Sequence, residues 1–106
     1  MEHGRTLHAL SDATRRNILA MLRRRPHTVG ELAARLPVSQ PAVSQHLKVL
    51  RQARLVAVEK DGVRRIHHLS VEGLEPLRAY VASFWDEALG AYGRSFDHKR
   101  RQEEKE

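Results

Sequence analysis

The sequence predicts a mainly α domain with one small β-hairpin, and three observations carry that prediction. Apolar residues recur at helical spacing over most of the 106 residues. Two short stretches, opening at Thr28 and at Ser39, each carry their own helix cap. One stretch, 55–69, switches to strand formers around Asp61-Gly62. At this length the chain is one domain with a modest core, which a partner subunit would help to complete.

Residues 6–25 read as helical with a break. Ser11 or Asp12 can cap a helix whose inner face is Ile18, Leu19 and Leu22, and Pro26 ends it after an arginine run. "TVGE" at 28–31 is a capping box, with Thr28 at the N-cap and Glu31 satisfying free amides reciprocally. It opens a short helix to about Leu36 with Leu32, Ala33 and Leu36 inward, and Pro37-Val38 makes the turn. Ser39 caps the next helix, and Pro41 sits in its first turn, where a missing N–H costs nothing. Val43, Leu47 and Leu50 form its inward stripe. Two short capped helices joined this closely fit a helix-turn-helix.

Leu55, Val56, Val58, Val63 and Ile66 then read as strands joined by an Asp61-Gly62 turn, which sets Lys60 opposite Val63 and Glu59 opposite Arg64. Ser70 is expected to cap a final helix through about Phe96. Its apolar positions, Leu74 to Phe96, cover an arc of roughly 140° at ~100° per residue, wide enough for the core and another chain. The division is therefore a folded domain, 1–96, and a charged tail, 97–106, expected to be flexible. The order of elements is that of a winged helix.

Nineteen Lys and Arg oppose 13 Asp and Glu, for a net charge of +6. That balance suits a polyanion or an anionic membrane, with plain solubility as the ordinary alternative. No apolar run is long enough to span a bilayer, and the first ten residues lack the apolar core of a signal peptide. The expected location is the cytoplasm, with no membrane partner. The absence of cysteine removes disulfides, thiolate zinc sites and thiol redox sensing. Asp86 and Glu87 are neighbours on one helix and would not converge on a substrate, and no glycine-rich phosphate loop occurs. No catalytic residue, cofactor or metal is expected.

The helix opened by Ser39 carries the chemistry. Pro41, Ser44, Gln45, Lys48 and Arg51 fall opposite the inward stripe, on a polar face free of Asp and Glu. A B-DNA major groove, about 12 Å wide, admits one such helix. Gln45 and Gln40 can pair with adenine, Lys48 can reach guanine or phosphate, and Ser44 can bond either. Pro41 and Ala42 offer apolar surface to a thymine methyl. With Ser39, these eight residues are the candidate reading set for double-stranded DNA. Lys60, Gly62, Arg64 and Arg65 are the candidate wing, reaching the neighbouring minor groove or its phosphates. His46 lies ~60° from the inward stripe and reads as packed rather than base-facing. Arg23, Arg24 and Arg25 read as a helix end favoured by the dipole, with a phosphate clamp as the alternative.

"LSDATRRNIL", "TVGELAARLPVSQPAVSQHLKVLRQARLV" and "KDGVRRIHHL" resemble the ArsR family of bacterial winged-helix repressors, from about Leu7 to Phe96. The resemblance implies a homodimer on an inverted repeat, usually a repressor, although activation stays open. It also implies that the first and last helices form the dimer interface: Leu7, Leu10, Leu77, Val81, Phe84, Trp85, Ala88, Leu89 and Tyr92. Founding members sense metal through a Cys-x-Cys whose positions here hold Thr28 and Gly30. A second family site uses Asp and His on the last helix, where this chain offers only the adjacent Asp97-His98. The sequence is thus similar to the metal-independent branch, as is its "FWDEAL" at 84–89. Arg54 stands where the family often has glycine. A charge-driven, non-specific DNA- or RNA-binding protein is the competing reading, and it predicts equal affinity for any sequence.

Overall fold

The computed structural model describes the backbone from Glu2 to Lys105 and the side chains of residues 3–90. Helix α1 (Glu2–Leu10) is followed by α2 (Ala13–Arg24), the short strand β1 (His27–Thr28), α3 (Val29–Arg35) and α4 (Gln40–Gln52). Strands β2 (Val56–Asp61) and β3 (Arg64–Leu69) form the hairpin, and a 3-10 turn (Glu72–Leu74) leads into α5 (Glu75–Lys105).

The break between α1 and α2 has a local cause. The Asp12 carboxylate accepts from the Arg15 amide at 3.0 Å and caps α2. The last carbonyls of α1 have no partner within their own helix. Arginines of α2 take that place: Arg15 donates to Ala9 and His8 at 2.8 and 3.0 Å, and Arg16 to Leu10 at 2.8 Å.

Ile18 and Leu22 of α2, Leu32 of α3, Val43, Leu47 and Leu50 of α4, then Leu55 and Val56 make the core. Each fully buried aliphatic side chain is worth roughly 1.5–3 kcal/mol of transfer free energy. The inward stripes expected for these three helices are therefore the observed ones.

Three elements differ from expectation. The two-residue strand β1 extends the hairpin into a three-stranded antiparallel sheet of order β1-β3-β2. The hairpin register pairs Asp61 with Arg64, Lys60 with Arg65 and Glu59 with Ile66. The turn is thus Gly62-Val63, not Asp61-Gly62. Positive φ (63°) at Gly62, its first residue, suits a II′ geometry with glycine leading. Ser70 does not cap the last helix: the 3-10 turn, whose N-cap is Val71 and which has no side-chain cap hydrogen bond, lies between it and α5. The helix itself continues past Phe96 to Lys105.

The end of α4 is closed by a Schellman motif. Leu55 N–H donates to Leu50 and Arg54 N–H to Arg51, both at 2.9 Å, with Arg54 left-handed at φ 59°. Gly73 then docks on this turn, its amide donating to the Arg54 carbonyl at 2.9 Å. Thr6 of α1 closes the junction by donating its hydroxyl to the Gly73 carbonyl at 2.7 Å. The C-terminal end of α4 is therefore pinned to both α1 and the entry to α5.

Candidate nucleic-acid interface

Helix α4 is built to show one face. The Ser39 hydroxyl accepts from the Ala42 amide at 3.3 Å, and Pro41 lies in the first turn. With Val43, Leu47 and Leu50 fully buried, Ser39, Gln40, Pro41, Ser44, Gln45, Lys48 and Arg51 are exposed and Ala42 is half-buried. No Asp or Glu occurs along Gln40–Gln52. The face is polar, weakly basic and open, an arrangement that can offer hydrogen bonds to base edges.

Two residues of this helix turn elsewhere. His46 is half-buried, with Nδ1 3.3 Å from Arg15 Nη1 and 3.9 Å from Asp12 Oδ1, so it belongs to the α1–α2–α4 junction. The backbone amide of Arg15 chiefly, with smaller help from His46 and Arg15 charges, holds the Asp12 carboxyl below the usual range. Arg51 is exposed, but its Nη1 lies 3.3 Å from Nε2 of His67 on β3. Its helical position puts it among the reading set; its length lets the guanidinium fold back to the sheet.

His67 is 2% exposed and paired across the strands with His27, which is also buried. Burial first, then the Arg51 charge, push the His67 pKa below its ordinary value, with the Arg65 backbone working weakly the other way. Its Nδ1 is buried without a well-formed hydrogen bond. This junction was not visible in the sequence beyond the His67-His68 pair itself.

On the wing, side chains of directly paired residues share a face and neighbours alternate. Lys60 and Arg65 therefore lie together on one face and Arg64 on the other. Like charges placed opposite each other destabilise a bare hairpin, and a polyanion relieves the repulsion. Arg64 Nη2 lies 3.8 Å from Glu31 Oε1 at the start of α3. Glu31 also accepts from the Thr28 amide at 3.0 Å and from Arg25 at 3.2 Å, completing the expected capping box. The Thr28 amide first and then Arg25 draw the Glu31 pKa down to about 2. Thr28 is thus committed to the helix cap, and Gly62 forms the exposed tip of the wing with Val63.

The α1/α5 surface is apolar and open. Leu7, Phe84, Trp85 and Leu89 are 46, 55, 66 and 60% exposed, and Val81 and Ala88 are also exposed. His3 stacks on Tyr80 at 4.2 Å, and Tyr80 meets Phe84 edge-on at 5.0 Å, which binds the two helices within one chain. Leu10 and Leu77 are half-buried, Leu10 against the chain's own core. Tyr92, Asp97 and His98 lie outside the residues whose side chains are described. Among the described residues no group of three or more His, Asp or Glu could hold a metal ion, and no helix is long and apolar enough to cross a membrane.

Residues 12–58 match the family described as bacterial regulatory proteins of the arsR family. The HTH-type transcriptional regulator Rv2034 of Mycobacterium tuberculosis is 50% identical over 93 residues, spanning 88% of this chain and 87% of the relative. The chain belongs to the ArsR family. The transcriptional repressor SdpR of Bacillus subtilis is 39% identical over 76 residues, 72% of this chain and 84% of the relative. An ArsR-like transcriptional regulator from Rhodococcus sp. RHA1 superposes with a TM-score of 0.72 at 32% identity, covering 88% of this chain and 91% of that one. This ArsR protein is a transcriptional regulator with a winged helix-turn-helix fold, in a family of regulators rather than enzymes.

Proposed function

We propose that this ArsR protein is a homodimeric, cytoplasmic repressor that reads an inverted-repeat operator in double-stranded DNA, without the thiolate metal site of founding members. The observation that carries the reading is the outer face of α4: exposed Gln40, Ser44, Gln45 and Lys48 on a helix without a single acidic residue. Glutamine pairs with adenine and lysine reaches guanine or phosphate. Purely electrostatic binding needs no glutamines there. Ser39, Pro41, Ala42 and Arg51 complete the helix surface. Lys60, Gly62, Arg64 and Arg65 are the wing, with Lys60 and Arg65 its phosphate anchors because Arg64 leans on Glu31.

The dimer is supported by the exposed apolar band of Leu7, Val81, Phe84, Trp85, Ala88 and Leu89, to which Leu10, Leu77 and Tyr92 are assigned as flanking members. Monomers rarely leave a large contiguous apolar patch in water. Metal independence is supported by the chain's lack of cysteine and by the use of Thr28 as a helix cap. Repression is supported by the similarity to the Bacillus subtilis transcriptional repressor SdpR.

The test compares two variants on operator and scrambled DNA. Gln45→Ala is expected to lose roughly 1–3 kcal/mol on the operator and relax preference at one base pair. Arg65→Ala is expected to weaken both DNAs alike and flatten the salt dependence. Identical behaviour of the two variants would remove the division between reader and anchor.

A further inference from the structure

We propose that Arg23, Arg24 and Arg35 form a second phosphate-binding surface, gripping the DNA backbone that flanks the base pairs met by α4. The inference rests on the DNA-reading function proposed above and extends it to a face that the helix-plus-wing description leaves out.

Six of the twelve arginines whose side chains are described have an internal task. Arg15 and Arg16 bond carbonyls of α1, Arg25 and Arg64 meet Glu31, Arg51 meets His67 and Arg78 meets Glu75. Arg23, Arg24 and Arg35 have no such partner among the described residues, and all three are exposed. The arginine run is thereby split: Arg25 turns back to α3, while its two predecessors stay free. Arg23 and Arg24 occupy the last turn of α2, and Arg35 the last turn of α3. All three line one open groove of about 360 Å³, together with Asn17 and Pro37, and no carboxylate lines it.

A helix end favours nearby cations individually, by about 0.3–1 kcal/mol each. That effect does not explain why two helix ends gather three cations around one groove, where they repel one another. A bound phosphate removes the repulsion and accepts the planar, forked guanidinium bonds. The position selects the source of the phosphate. Pro37 in the groove wall lies just before Ser39, the cap of α4, so the groove adjoins the end of α4 that carries Gln40, Pro41 and Ser44. In a helix-turn-helix the helix before the one in the major groove crosses the DNA backbone, and here that helix is α3, whose last turn carries Arg35.

The test uses the full-length chain, an operator recovered by selection, and two duplexes: one with extended flanks and one cut flush with the recognised bases. The wild type is expected to bind the flanked duplex more tightly. A triple Arg23→Ala/Arg24→Ala/Arg35→Ala variant is expected to lose that preference. It should also lower the slope of log K against log salt by about 0.9 for each phosphate contact removed, while keeping its preference for operator over scrambled sequence. Should the triple variant prove unstable by thermal melting, the single Arg24→Glu and Arg35→Glu reversals carry the same expectation. Wild-type slope and flank dependence in the variants, with operator preference intact, would overturn the phosphate surface but spare the reading of α4. A wild type that fails to separate operator from scrambled DNA would sink both.

Discussion

Arg51 of α4 and His67 of β3 meet, with Nη1 of one 3.3 Å from Nε2 of the other. An arginine only donates, so Nε2 must be the bare nitrogen of a neutral ring. This hydrogen bond between α4 and β3 requires a neutral His67 ring.

That contact fixes the sign of a pH effect. The folded-state pKa of His67 lies below its ordinary 6.5, from burial first and the Arg51 charge second. Below 6.5 the unfolded chain binds the proton more readily, so stability is full above that pH and falls as the solution is acidified through it. Urea unfolding at pH 7.5 and 5.5 is expected to show a smaller drop for His67→Gln than for the wild type. An equal drop in both would assign the effect elsewhere.

Glu31 governs a lower window. Its pKa is drawn from 4.5 to about 2 by the Thr28 amide and Arg25, so its contribution is present above 4.5 and lost as pH falls toward 2. Glu31→Gln keeps a capping side chain but cannot pair with Arg25 or Arg64. Between pH 5 and 2 its unfolding midpoint should decline less steeply than that of the wild type.

Gly73 cannot carry a side chain. A Cβ there would lie 2.1 Å from the Ala53 carbonyl oxygen and 2.6 Å from the Arg54 carbonyl carbon, and both obstacles are backbone. Gly73→Ala must shift the turn after α4 or the start of α5, a strain of about 1–3 kcal/mol. Denaturant unfolding measures it, and a loss well below 1 kcal/mol would show that the junction yields.

Arg54 makes the opposite prediction. Its φ of 59° closes the Schellman motif at a cost that glycine avoids. Arg54→Gly is expected to raise stability by about 1 kcal/mol, less what the added freedom of the unfolded chain removes. A destabilised variant would mean that the arginine side chain makes a contribution larger than the backbone strain.

Local signals were the legible ones. Ser39, Asp12 and the Thr28/Glu31 box each announce a helix start because a cap needs only neighbours in sequence, and the α2, α3 and α4 stripes follow helical spacing. Where the chain meets distant partners the sequence misleads. Ser70 looks like a cap, yet the 3-10 turn at Glu72–Leu74 separates it from α5. Val63 has a strand former's shape yet sits fully exposed in the turn. Arg51 steps outward by helical angle, but His67 lies within reach of its long side chain. Strand β1 is too short to show any period.

The central claim is that the outer face of α4 reads bases. Binding-site selection from a random DNA pool at about 150 mM salt, near physiological ionic strength, tests it most directly. The account predicts recovery of a palindromic motif, the signature of two recognition helices on a two-fold axis. Recovery of no motif, with affinity collapsing as salt rises, would contradict it and leave a protein held to nucleic acid by charge alone.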